Sequence, residues 1–151
     1  MGLMRLSLAT LGVVFMMACG PGLDVKSGGD HQRGKPQDLE LGKLVYDRVS
    51  ADDGDHTDWK MFEIAQPTAV TVRIWWDQPE VKGSVFLRGR TEGVTRKLKH
   101  KKGTRSETIG PVALLPGKWY LRIQLKSGTS VYSLRIDTGE AGEDSSDLPD
   151  F

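Results

Sequence analysis

Four carboxylates stand close together in SADDGDHTDW, at Asp52, Asp53, Asp55 and Asp58. Several oxygens from one loop are what a hard cation such as calcium requires, so this stretch is a candidate calcium site. EF-hand spacing is not met. Asp53 and Asp55 fit its first two ligand positions, but Asp58 stands where a glycine is needed and Ile64 where the closing glutamate belongs. Zinc has only His56 nearby and no usable thiol. The other reading is an acidic turn whose Asp side chains bond nearby backbone N–H groups. No cofactor is required by any motif.

A second candidate is RGRTEGVTRKLKHKKGTR, where Arg88, Arg90, Arg96, Lys97, Lys99, Lys101, Lys102 and Arg105 face the single acid Glu92. Such a run concentrates anions, although exposed charges are screened beyond about 8 to 10 Å in physiological salt. Lys-rich edges also protect strands from pairing with other chains, so an anion site and a solvated edge are both expected readings. Trp75 and Tyr120 alternate onto the polar side of their strands, which makes them candidates for stacking against sugar rings or for burial under a loop. Catalysis finds little support: there is no Gly-x-Ser-x-Gly elbow, and His31, His56 and His100 are scattered. The expectation is a protein that is not an enzyme.

Cys19 is the only cysteine of 151 residues and follows an apolar run, GVVFMMACGPG. Met1 to Arg5 form a short positive start, Leu6 to Met17 are almost continuously apolar, and Ala18 is the small residue expected before cleavage. About a dozen apolar residues are too few for a mature membrane span, which needs roughly 20. The segment resembles a bacterial lipoprotein signal, matching at Ala18 and Cys19, with Met16 where that family most often has Leu. The resemblance implies lipidation of Cys19, and two or three acyl chains at about 0.8 kcal/mol per buried CH₂ would hold a domain firmly on a membrane. Gly20 follows the cysteine in place of the Asp that favours inner-membrane retention in that family, so the expected location is the cell envelope, at the outer membrane.

These residues need elements to position them. GPGLDVKSGGDHQRGKPQ, from Gly20 to Gln37, is polar and Gly/Pro-rich and is expected to be a flexible tether, while residues 138–151 are expected to be an acidic disordered tail. Between them, over residues 38–137, apolar residues alternate. Trp119, Leu121, Ile123 and Leu125 oppose Lys118, Tyr120, Arg122, Gln124 and Lys126, which is the period of a half-buried strand. The same period covers Val70 to Trp76 and Tyr132 to Ile136. Shorter strands are expected at Lys43 to Arg48, Trp59 to Ile64, Ser84 to Arg88, Arg96 to His100 and Thr108 to Leu114. Turn signals such as Asp53-Gly54, Lys102-Gly103 and Pro116-Gly117 separate them. Seven or eight short strands without a convincing helix predict an all-β fold, a single antiparallel jelly-roll-like β-sandwich.

The order of four stretches resembles the bacterial pre-peptidase C-terminal domain: Asp58 to Ile64, Val85-Phe86-Leu87, Leu115 to Ile123, and Tyr132 to Ile136. Lys60 stands where that family prefers an aromatic residue, and Ser84 where an acid often precedes the Leu-x-Leu strand. The resemblance implies a binding or accessory role outside the cell. Together the readings describe a membrane-anchored lipoprotein that binds noncatalytically at the envelope, with anionic polymers or an envelope protein as partners. Nucleic acid is not expected, since the basic run lacks interleaved aromatics and the leader directs export. A scaffold subunit of an envelope complex and an accessory subunit of a secreted hydrolase are the alternatives.

Overall fold

In the computed structural model the described residues are 29–91 and 93–139, and Cys19 and the acidic segment from residue 140 lie outside them. Among the described residues nine strands form two sheets. They are β1 Gln37–Asp38, β2 Val45–Ser50, β3 Thr57–Ile64, β4 Thr68–Trp76, β5 Lys82–Gly89, β6 Val94–Lys99, β7 Ser106–Leu114, β8 Gly117–Ser127 and β9 Thr129–Thr138. One sheet runs β1-β3-β8-β5-β6 and the other β2-β9-β4-β7. All pairings are antiparallel except the short β1–β3 contact. The all-β sandwich expected from the alternating pattern is therefore the fold.

Alternation explains the core. Leu121, Ile123 and Leu125 of β8 turn inward with Val85 and Leu87 of β5 and Phe62 and Ile64 of β3. They meet Val70, Val72, Ile74 and Trp76 of β4 and Tyr132, Leu134 and Ile136 of β9, all almost fully buried. Odd and even positions of each strand thus separate a core side from an outer side.

Two glycines mark irregularities in the ladders. At Gly83, where the β5–β8 register shifts after Lys82, a Cβ would lie 2.6 Å from the Leu125 side chain and 2.7 Å from the Gln124 carbonyl oxygen. At Gly110, φ is +116° and a Cβ would lie 2.6 Å from the Val70 carbonyl oxygen, beside the β4–β7 shift. Both sites need the missing side chain.

The N-terminal boundary differs from the expected tether, which runs to Gln37. Residues 29–39 form a strap on the sandwich. Asp30 is 1% exposed and its carbonyl accepts from Trp59 N at 2.8 Å. Gln37–Asp38 pairs with β3, and Leu39 N donates to Met61 O at 2.7 Å. The physical reason is a buried charge, Lys60, that recruits Asp30 from 30 positions away.

Candidate anion-binding face

Among the described residues, the outer side of the five-stranded sheet gathers several cations without carboxylate partners. The β8 period turns Tyr120, Arg122, Gln124 and Lys126 outward, and strand registers place other strands' outer residues beside them. Trp59 of β3 pairs with Arg122, Arg122 pairs with Phe86 of β5, and Phe86 pairs with Lys97 of β6. Since neighbouring strands lie roughly 4.8 Å apart, ring, guanidinium, ring and ammonium form one row across the sheet. The Arg122 guanidinium lies 4.2 Å from the Phe86 ring centre and 5.7 Å from that of Trp59, and Lys97 Nζ is 5.3 Å from Phe86. These are cation–π distances.

The adjacent row holds Met61, Tyr120 and Arg88. Arg33 reaches over from the strap, 5.0 Å from the Tyr120 ring centre and 5.7 Å from Trp59. Its Nη2 donates to the carbonyls of Gly89, at 3.1 Å, and Arg90. Burial, and then the neighbouring Arg88 charge, lowers the proton affinity of Arg122. Nε of Arg88 and Nε of Arg122 are both buried without a hydrogen-bond partner.

At the far end of this face a cleft of about 650 Å³ is lined by Lys82, Lys97, Lys99, Lys102, Lys126 and Ser84, among others. Lys102 pairs with Glu80 at 3.1 Å. Among the described residues, Lys82, Lys97, Lys99, Lys126, Arg88 and Arg122 have no carboxylate partner. On the opposite outer face Arg73 and Arg135 share the Asp137 carboxylate.

The predicted basic cluster is therefore divided. Arg88, Lys97 and Lys99 join the face and Lys102 borders the cleft. Arg96 is exposed on the opposite side of the edge strand, paired with Leu87, while Arg90 and Lys101 lie in turns. Arg105 donates to Asp77 O at 3.3 Å near the other sheet. His100, within the basic run, is a buried brace: Nδ1 lies 2.6 Å from Glu107 and Nε2 2.9 Å from Pro79 O. Arg33, Lys82, Arg122 and Lys126 were missed as members of the site. The β8 alternation already places Arg122 and Lys126 outward, and it is the signal that could have found them.

Trp75 and Tyr120 do not form a shared stacking platform, because they lie on the outer faces of different sheets. Trp75 is 8% exposed, and Arg33 covers the Tyr120 ring.

The four acids of the expected calcium loop also separate. Asp52 accepts from Gly128 N at 3.1 Å, and Asp53 pairs with Arg48. Asp55 is buried beside its bridge to Ser50, whereas Asp58 turns into the sandwich. Turn bonding by Asp52 and strand alternation at Asp58 pull them apart.

Asp58 instead joins Asp30 and Asp47, whose carboxylates each place an oxygen within 4.8 Å of the others. Lys60, 0% exposed, sits among them. Its Nζ donates to Asp30 Oδ2 at 2.6 Å, to Gln37 Oε1 at 2.5 Å and to Asp47 Oδ2, which uses all three ammonium protons. The ammonium occupies the position a bound cation would need. Tyr132 OH donates to Asp58 Oδ2 at 2.8 Å. Burial, and then the Asp30 carboxylate, pushes Asp58 up to about 8, so it is a neutral acid at pH 7. Burial raises Asp30 as well.

No family model matches the chain, and no curated protein matches it. Among solved structures, the pre-peptidase C-terminal domain of a collagenase from Bacillus anthracis is similar at 16% identity, with a TM-score of 0.56 over 68% of this chain and 94% of that one. PliG of Salmonella Typhimurium, a periplasmic inhibitor of g-type lysozyme, aligns at 15% identity over 70% of this chain and 99% of that one, with a TM-score of 0.41. The first likeness shows that the sandwich has the fold of a pre-peptidase C-terminal domain, as the sequence resemblance implied.

Proposed function

We propose that the chain is an exported lipoprotein, held at the outer membrane through lipid on Cys19, whose sandwich binds anionic envelope polymers without catalysis. The observation that carries this reading is the outer face of the five-stranded sheet, where Arg88, Arg122, Lys82, Lys97, Lys99 and Lys126 stand without carboxylate partners among the described residues. A face that is not self-neutralised favours a polyanion, and aromatic rings hold its central cations in place. The fold supports a noncatalytic module, since its structural counterpart is a domain appended to a collagenase. That same likeness favours, as a second reading, an accessory subunit of a secreted hydrolase. Cosedimentation with purified envelope polymers across a salt series tests the first reading. Binding by the native chain that weakens with salt, and is lost when Lys97, Lys99 and Lys126 become Gln, supports it. Equal sedimentation of native and variant chains would refute it.

A further inference from the structure

Within the basic face, Arg88 and Arg122 differ from the lysines around them. They stand on adjacent strands, offset by one step of the outer side, because Arg122 pairs with Phe86 and Arg88 with Tyr120. Like charges this close repel, and among the described residues no carboxylate separates them. Both Nε groups are buried without a hydrogen-bond partner, so their donor capacity is unused within the described residues. The Phe86 and Trp59 rings lie at cation–π distance from the Arg122 guanidinium. Arg33, held by the carbonyls of Gly89 and Arg90, brings a third guanidinium to the same side of the sheet.

We infer that Arg88 and Arg122 form a receptor for one phosphate monoester group, with Arg33 at its rim. Two guanidinium forks match a group carrying nearly two negative charges and three acceptor oxygens, which a single carboxylate does not supply. Lysines answer a different need: Lys82, Lys97, Lys99 and Lys126 offer point charges along the face, suited to a polymer without fixed geometry. This inference rests on the polyanion reading of the face and adds one specific group to it.

The test uses the full chain in detergent, titrated by calorimetry with inorganic phosphate, with a soluble sugar monophosphate, and with a phosphodiester of the same sugar. Vesicles containing phosphatidic acid, mixed with chain freed of detergent and read against phosphatidylcholine vesicles, form a fourth arm, and a purely carboxylated polysaccharide a fifth. Phosphate and the sugar monoester should bind saturably and the diester at least about tenfold more weakly. Arg122→Lys should lower monoester affinity about tenfold or more while leaving carboxylated polymer binding within about twofold, because charge remains and the fork is lost. Vesicle binding that exceeds sugar monoester binding assigns the group to a lipid headgroup, and the reverse assigns it to a phosphorylated glycan. Polymer binding without phosphate or monoester binding overturns the receptor and leaves the polyanion face standing. No binding in any arm overturns both. Unchanged monoester affinity in Arg122→Lys and in Arg88→Lys, each with a native thermal midpoint, also overturns the receptor.

Discussion

Lys60 shows how one residue can decide the fate of a region. A lysine in the middle of an alternating strand must either face water or find partners, and β3 turns it inward, where it is fully buried. Its three protons meet Asp30, Asp47 and Gln37. Removing the ammonium while keeping the bulk, as in Lys60→Met, leaves buried carboxylates uncompensated and should lower stability by about 3–5 kcal/mol in chemical denaturation. The native chain should show the same thermal midpoint with and without chelator, because the ammonium fills the cation position. In Lys60→Met, calcium should raise the midpoint. A calcium response in the native chain would contradict this account.

The same cluster predicts a pH dependence. Asp58 has a folded pKa of about 8, against an ordinary value near 3.9 for an aspartate in the unfolded chain. The folded state therefore holds a proton that the unfolded state has released. The associated stability is fully present below about pH 4 and is lost as pH rises towards 8, and the raised Asp30 acts in the same direction. The unfolding free energy from chemical denaturation should fall between pH 5.5 and 8.5 by an amount on the order of a few kcal/mol. Asp58→Asn should flatten that fall, and an equally steep fall in the variant would sink the assignment to Asp58.

At the scale of elements, the strands were legible and the strap was not. Alternating apolar residues in Trp119 to Leu125 and Val70 to Trp76 announce strands because burial on one side of a sheet has a period of two. The strap has no such period: DHQRGKPQ looks like tether, and its docking rests on single contacts with distant residues. Asp30 meets Lys60 across a separation of 30 positions, and Arg33 meets Gly89 across 56. Such pairings leave no local trace in a sequence, and the division of the basic run between two sheets is equally nonlocal. Arg33→Ala should uncover Trp59 and Tyr120, increasing acrylamide quenching of tryptophan fluorescence and costing about 1 kcal/mol of stability. Unchanged quenching would mean that the strap does not cover the rings in solution. The β5–β8 bulge is a second element-scale device. Gly83→Ala should destabilise by about 1–3 kcal/mol, because the new methyl meets the Gln124 backbone as well as the Leu125 side chain.

For the whole molecule, a formal net charge of +1 means that no overall field attracts a polyanion, so any binding must come from how charge is distributed. One outer face pairs Arg73 and Arg135 with Asp137, whereas the other leaves its cations unpaired among the described residues. Arg33 of the strap lies over the basic side of the sandwich, and the ten residue steps from Cys19 to Gly29 span at most about 36 Å when extended. A lipid on Cys19 would therefore keep the basic face within polymer reach of the membrane. If position rather than total charge governs binding, two variants with the same net charge should behave differently. Lys99→Gln with Lys126→Gln removes two cations from the face and should lower the slope of log affinity against log salt by about 1.5 to 2. Lys35→Gln with Lys43→Gln removes two exposed cations elsewhere and should leave that slope unchanged. Equal slopes in the two variants would show that the polymer responds to overall charge, and the sheet face would lose its role as the binding surface.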